Sequence, residues 1–221
     1  MSDTLPMFPL NAVLFPGVTL PLHVFEERYR ALVEHLMSID DPAERVFGSV
    51  AIREGYEVGD HGAQSLFRIG CRLQLTEVEA NPDGSFEVVV VGLDRIQLDS
   101  LDGSGPFPVG TVQDLPEPTV AVPDHVVQRA RATFSAYRLA LTEFRPDPYD
   151  GTLPRDAEYL SWTLAAVAPL PMAERQGLLE ASDAEERLIL VTDLLRGELQ
   201  AMNVIPSLPA TDVARNRWSP N

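Results

Sequence analysis

The sequence has 221 residues, 45% of them hydrophobic and 23% charged, which is an ordinary composition for a globular protein of one large domain or two small ones. Its formal net charge of −16 disfavours nucleic acid and anionic membranes as partners, because such a field repels phosphate. All 17 basic residues are arginine, which excludes a P-loop lysine, a Ser-Lys dyad and a Schiff-base lysine.

The predicted elements begin with a β unit that leads directly into a helix, within residues 5–36. Its short apolar runs are interrupted by prolines, a spacing typical of short strands joined by turns. Pro16-Gly17 predicts a turn, because proline presets φ and glycine accepts the positive φ of a type II turn. After Pro21 the apolar period becomes helical. The predicted apolar face of this helix is Phe25, Tyr29, Leu32 and Leu36.

A series of short strands and turns is predicted next. Residues 46–52 are an apolar strand candidate, and residues 69–75 alternate apolar and polar side chains, the period of a half-buried strand. The turn signal Asn81-Pro82-Asp83-Gly84 joins them to a returning strand over residues 86–91. A last strand is predicted over residues 109–112. Many short strands with regular turns favour a small barrel.

The second half of the chain is predicted to be helical. Residues 115–123 contain three prolines and are predicted to be a linker. The next helix is expected to have Asp124 as its N-cap and a buried stripe of Val126, Ala130, Phe134, Tyr137 and Leu141. Helices are also predicted over residues 159–167 and after Pro171. The last helix is predicted to start at a capping box with Ser182 as its N-cap, and its buried face is Leu188, Val191, Leu195 and Met202.

Cysteine and histidine give no pattern for a metal or a cofactor, and we predict neither. Cys71 is the single cysteine and alternates with apolar positions, which favours a buried filler. The four histidines are scattered and show no ligand spacing: His23, His35, His61 and His125. The beginning of the sequence lacks a positively charged n-region, and no apolar run is long enough for a membrane span, so a cytoplasmic location is expected.

The opening of the sequence resembles the amino-terminal substrate-recognition domain of the Lon ATP-dependent proteases. The resemblance rests on LPMFPL, VLFPG, LPL and VFE, followed by Arg28-Tyr29, in register over about thirty residues. The phrases at residues 67–71 and 91–95 and the helical run 169–199 are also similar to this family. The resemblance implies an α+β fold in which a PUA-like β pseudo-barrel, residues 4–116, precedes an α-helical bundle, residues 117–205. Residues 206–221 are expected to be a flexible tail.

The function that the resemblance implies is recognition of polypeptide without catalysis. In a full-length Lon this domain precedes an ATPase and a Ser-Lys protease domain, which this sequence lacks. The expected partners are unfolded or peptide segments of other proteins. A protease is a further expected partner, for an adaptor or a competitor in proteolysis or quality control. The alternatives are a small-ligand or RNA-binding module of PUA-like fold and an unrecognised hydrolase.

Few side chains stand out as site candidates. We predict no catalytic residue, because Gly103-Ser104-Gly105 lacks the frame of a nucleophile elbow. The binding candidates are Arg28, as part of a basic surface with Arg68, Arg72 and Arg95, and Tyr56, an aromatic side chain in a glycine-rich loop. Structural pairing with acidic residues is the preferred interpretation of the arginines. The oligomeric state is left open.

Overall fold

The chain folds into two compact units, one of strands and one of helices. The structure is a computed structural model that describes residues 2–53, 66–143, 147, 149 and 151–204. The first unit is Met1–Glu117 and the second begins at Pro118. Strands dominate the first unit and helices the second, which confirms the predicted α+β class. The predicted tail, residues 206–221, lies outside the described residues.

The first unit is built on an antiparallel sheet. Its strands are β1 (Ser2–Pro6), β2 (Thr19–Val24), β3 (Val46–Ser49), β4 (Ile69–Ala80), β5 (Phe86–Asp102) and β6 (Val109–Asp114). They are ordered β1-β6-β5-β4-β3, and β2 pairs with the first half of β5. A helix α1 (Glu27–Met37) and a short 3₁₀ turn (Pro42–Glu44) lie between β2 and β3.

The chain that follows β1 closes this sheet into a pseudo-barrel. Met7 and Leu10 form parallel bridges with Gly48 and Ala51, next to the free edge of β3. The amide of Phe8 donates to the carbonyl of Gly48 over 2.8 Å. These bridges place residues 7–10 alongside the end of β3 and the residues that follow it, so that the two ends of the sheet come together.

Strand β5 is longer than the sequence predicts. A strand over residues 86–91 followed by a separate apolar segment was the expectation, whereas β5 runs without interruption to Asp102. Its first part pairs with β2 and its last part with β6, and the register shifts between Leu98 and Ser100. Such an irregularity bends a strand, and the bend allows β5 to pair with β2 at one end and with β6 at the other.

The described residues of the first unit include two buried apolar clusters. One lies under α1 and includes Leu32 and Leu36 of that helix with Leu73 and Val90 of the sheet. The other lies toward β1 and includes Met7, Ile96 and Val112. Cys71 belongs to the first cluster, and its burial raises the pKa of the thiol to about 12. The prediction of a buried filler is therefore confirmed.

The structure corrects the predicted apolar face of α1. The helix begins at Glu27, one turn later than the pattern suggested, and its buried residues are Tyr29, Leu32, Val33 and Leu36. Phe25 precedes the helix and is 64% exposed. The reason is that residues up to 25 still follow the two-residue period of β2, which buries Val24 and turns the next side chain outward.

The second unit contains four helices in its described part. They are α2 (Asp124–Leu141), α3 (Ala157–Val167), α4 (Met172–Glu180) and α5 (Ala184–Val204). The predicted stripes on α2 and α5 are buried as expected. Two predicted caps are wrong. The N-cap of α2 is Pro123, with Asp124 already inside the helix. At the start of α5 the amide of Glu186 donates to the carboxylate of Asp183. An N-cap side chain accepts from the amide three residues after it, so the N-cap is Asp183 and not Ser182.

Candidate functional site

A groove lies at the end of the pseudo-barrel where the opening motif of the sequence folds back on itself. It has a volume of about 200 Å³, and we call it the aromatic groove. One wall is the segment 8–11, held against β3, and the other runs from His23 to the first turn of α1. Its lining residues are Phe8, Pro9, Leu10, Asn11, His23, Val24, Phe25, Glu26, Arg28, Tyr29 and Ile52.

Aromatic rings on both walls give the groove its apolar character. The ring of Phe8 is stacked on that of Tyr29, with centroids 4.0 Å apart, and both residues are buried. The ring of Phe25 is largely exposed and stacks on His23, with centroids 5.8 Å apart. Such rings present flat apolar surface with few rotatable bonds, and this suits them to holding another apolar group.

The hydroxyl of Tyr29 is a hydrogen-bond donor available to a ligand. Tyr29 is only 4% exposed, and its hydroxyl has no hydrogen-bond partner among the described residues. Burial raises the pKa of this phenol, the Arg28 guanidinium opposes that rise, and the Glu26 carboxylate adds to it. The group is therefore a neutral donor at physiological pH.

Arg28 lies at the rim of the groove as part of a local ion pair. Its Nη2 is 2.9 Å from Oε2 of Glu26, and its Nε donates to the same oxygen over 3.0 Å. The guanidinium carbon also lies 4.5 Å from the centroid of the Tyr29 ring. Arg28 thus covers one face of the tyrosine while remaining partly exposed.

A wider concavity adjoins the aromatic groove on the side of α1. It has a volume of about 600 Å³ and is lined by Glu26, Glu27, Arg28, Ala31 and Pro106. Because both concavities share Glu26 and Arg28, they form one surface. Glu27 is exposed and has no ion pair among the described residues. We call this part the acidic extension.

The residues singled out from the sequence have separate places. Arg28 lines the aromatic groove, whereas Tyr56 lies outside the described residues. The other three arginines contact oxygens of the fold: Arg68 donates to carbonyls of β5, Arg72 pairs with Asp3 and Asp114, and Arg95 with Glu117. They form no basic surface with Arg28, in line with the preferred interpretation. The amide of Ser104 donates to Asp102 in the exposed loop after β5.

No metal centre is found in the part of the chain that the structure describes. Among those residues, no three or more His, Cys, Asp or Glu side chains are close enough to hold an ion. His23 Nδ1 lies 2.6 Å from Oε1 of Glu87, but this exposed pair stands alone. Within the same part of the chain no helix has the length and apolarity to cross a bilayer. The cytoplasmic location stays a prediction.

Sequence reasoning missed Phe8, Phe25, Tyr29 and Glu27 as site residues. The alternation of Leu20, Leu22 and Val24 toward the core is the signal that could have placed Phe25 outside. The groove itself has no such signal. Its two walls are separated along the chain and meet only because residues 7–10 close the barrel.

Two solved structures with this fold are Lon N-terminal domains. A Lon N-terminal domain protein from Xanthomonas campestris matches with a TM-score of 0.64 and 24% identity, over 86% of this chain and 98% of that one. The N-terminal domain of Mycobacterium avium complex Lon protease matches with a TM-score of 0.59 and 17% identity, over 88% of this chain and 98% of that one. At these identities the likeness establishes the fold.

The sequence establishes the family. Residues 4–197 match the substrate-binding domain of ATP-dependent protease La (LON), and the chain belongs to this family. Lon protease 2 of Herpetosiphon aurantiacus is 30% identical over 210 residues, covering 90% of this chain and 24% of the relative. Lon protease of Escherichia coli K12 is 28% identical over 205 residues, covering 90% and 25%. The chain therefore spans about a quarter of the length of these relatives.

Proposed function

We propose that this chain recognises segments of other polypeptides through the aromatic groove and catalyses no reaction on them. The observation that carries this proposal is the exposed ring of Phe25 beside a groove lined by buried aromatic residues. Its membership of a substrate-binding family supports the same function. The adaptor or competitor role in proteolysis, and a protease as a partner, belong to this proposal.

The size and chemistry of the groove suit part of a polypeptide. A volume of about 200 Å³ is below that of drug-sized ligand sites, which are roughly 300–1,000 Å³, and accommodates a large side chain. An apolar side chain between Phe8 and Phe25 would lose contact with water, and the Tyr29 hydroxyl would donate to a backbone carbonyl of the same segment. A single small contact of this kind gives weak binding, in the micromolar range or above.

The absence of catalysis is proposed on the chemistry of this chain. Without lysine it can form neither a Walker-type phosphate site nor a Ser-Lys dyad. The relatives are named Lon protease 2 and Lon protease, and this chain covers about a quarter of their length. The activity in those names is therefore not assigned to this chain. RNA is a weaker candidate ligand, because three of the four arginines singled out from the sequence, Arg68, Arg72 and Arg95, contact oxygens of the fold.

The test is binding of a labelled, neutral, aromatic-rich peptide, followed by fluorescence anisotropy. Phe25→Ser should weaken binding about tenfold, since losing an aromatic anchor costs about 1.4 kcal/mol or more. Tyr29→Phe, which keeps the ring, should weaken it about fivefold through the lost hydrogen bond. The matched control is Tyr159→Ser, an aromatic residue of the second unit that is 62% exposed, and it should bind as the unchanged protein does.

Two results would contradict this function. One is equal binding by the Phe25→Ser and Tyr159→Ser variants, which would place the contact elsewhere. The other is binding of a labelled RNA hairpin together with no binding of the peptide. That second result would favour RNA as the ligand. In that case the affinity for the hairpin should also fall steeply as the salt concentration rises.

A further inference from the structure

The surface next to the aromatic groove carries an excess of negative charge. Glu26 and Glu27 line the acidic extension, and Glu87 contacts His23 at the far end of the same wall of the groove. Asp83 also lies near His23, and a hydrogen bond from Ser85 lowers the pKa of its carboxyl, so it is ionised at neutral pH. Two carboxylates, Glu26 and Glu27, therefore line this concave surface, and two more, Glu87 and Asp83, lie next to His23 at its edge.

The positive charges near this surface do not balance these carboxylates. Arg28 is bonded to Glu26, so one carboxylate is compensated locally. Arg30 donates to the neutral carbonyl of Gly84 and keeps its positive charge, so two arginines lie near four carboxylates. Glu27, in the acidic extension, is exposed and has no ion pair among the described residues. Because the whole chain carries a net charge of −16, no long-range positive field offsets this excess.

From this juxtaposition we infer that the groove prefers segments in which a cationic side chain lies within a few residues of a large apolar one. The apolar side chain occupies the aromatic groove, and the arginine or lysine reaches Glu27 in the acidic extension. This inference rests on the proposed function and specifies, in addition, the charge of the polypeptide segment that is bound. Charge complementarity of this kind adds specificity and speeds association more than it adds affinity.

Glu27 also has a role within its own helix. It is the first residue of α1, where a carboxylate interacts favourably with the helix dipole. A role limited to the helix would change the stability of the protein and leave its choice among peptides unaltered. The ratio of affinities for two peptides of opposite charge therefore separates the two roles.

The experiment compares three labelled peptides of equal length that share one aromatic core and are flanked by arginine, serine or glutamate. At low salt the arginine-flanked peptide should bind about tenfold more tightly than the glutamate-flanked one, with the serine-flanked peptide between them. The difference should shrink as salt rises, because exposed charges are screened. Equal affinity of the arginine- and glutamate-flanked peptides would overturn the inference and leave the proposed function standing.

Substitution of Glu27 locates the preference. In Glu27→Gln the ratio between the arginine- and glutamate-flanked peptides should fall by about two- to fivefold, the size of one exposed charge interaction. The matched control is Glu158→Gln, which removes an exposed carboxylate from the first turn of α3 and should leave the ratio unchanged. An unchanged ratio in Glu27→Gln would overturn the inference. Failure of the serine-flanked peptide to bind the unchanged protein would instead refute the proposed function itself.

Discussion

The guanidinium of Arg187 lies over the ring of Trp162, 3.1 Å from the ring centroid, in the interior of the helical unit. Arg187 is fully buried, although arginine side chains are usually exposed to solvent. Its Nη1 donates to Ser161 Oγ over 2.8 Å, and its Nε donates to the carbonyl of Leu178 over 3.0 Å. One side chain of α5 therefore connects α3 and α4.

This arrangement predicts a large loss of stability in Arg187→Ala. The substitution removes the stacking and leaves buried acceptors without their donor, so the free energy of unfolding should fall by about 3–5 kcal/mol. Chemical denaturation followed by circular dichroism measures it. Arg196→Ala, an exposed arginine on the same helix, is the control and should stay within about 0.5 kcal/mol of the unchanged protein. Similar losses in both variants would contradict a special role for the buried arginine.

A second prediction concerns Gly92, where β5 approaches the turn before β2. The amide of Gly17 donates to the Gly92 carbonyl over 2.9 Å, and the Gly92 amide donates to Val18 over 2.9 Å. A Cβ at position 92 would overlap the carbonyl oxygen of Phe15. Gly92→Ala should therefore cost about 1–3 kcal/mol, the usual range for overpacking.

Gly103 supplies the matched control for this prediction. A Cβ added there meets no heavy atom within 4 Å, so Gly103→Ala should leave the denaturation midpoint almost unchanged. Equal stability of the two variants would mean that the turn moves away from β5 without cost. The segments VLFPG and VGLDR, which are distant in the sequence, therefore touch through backbone atoms in the fold.

The helical half could be predicted closely from the sequence. All five residues of the α2 stripe, Val126 to Leu141, are buried, and so are the four residues predicted on α5. Long helices repeat the same face several times, so a single misplaced residue does not alter the result. The positive φ of Gly17, +71°, likewise agrees with the turn predicted from Pro16-Gly17.

The candidate site was less accessible to sequence reasoning for physical reasons. Phe25 stands where a two-residue period changes to a helical one, and either period can be applied to it. The overlap at Gly92 depends on a contact between distant segments, which a local pattern does not specify. The resemblance to Lon supplied the fold and the kind of function, whereas the groove follows from how residues 8–11 close the barrel.

A third prediction follows from the corrected cap of α5. Asp183 accepts the amide of Glu186 over 2.9 Å, and the Glu186 carboxylate accepts the amide of Ser182 over 2.7 Å. Asp183→Ala should cost about 1 kcal/mol. Ser182→Ala keeps the backbone amide and removes only the exposed hydroxyl, which donates to Asp183 Oδ2 over 3.3 Å, so it should cost less, about 0.5 kcal/mol. Urea denaturation of both variants measures the difference, and a larger loss in Ser182→Ala would restore the cap predicted from the sequence.

The last prediction concerns acid and the ion pair between Arg138 and Asp147. Arg138 Nε donates to both carboxylate oxygens of Asp147, over 2.8 and 3.0 Å. These bonds, followed by one from the Tyr149 amide, hold the pKa of Asp147 below its ordinary value. A carboxyl group with a lowered folded pKa contributes stability above its unfolded pKa of about 3.9, and this contribution disappears as the pH falls through the folded value.

Asp147→Asn should therefore be less stable than the unchanged protein at neutral pH, and this difference should shrink as the pH falls below about 4. Urea midpoints at a series of pH values give the two curves. Other carboxyl groups with lowered pKa, Asp83, Asp102 and Glu186, lose their contributions equally in both proteins, so only the difference between the curves is informative. The control for charge alone is Asp193→Asn. Asp193 is an exposed residue of α5 and has no ion pair among the described residues. A difference between Asp147→Asn and the unchanged protein that stays constant from neutral to acidic pH would show that the ion pair does not contribute to folding.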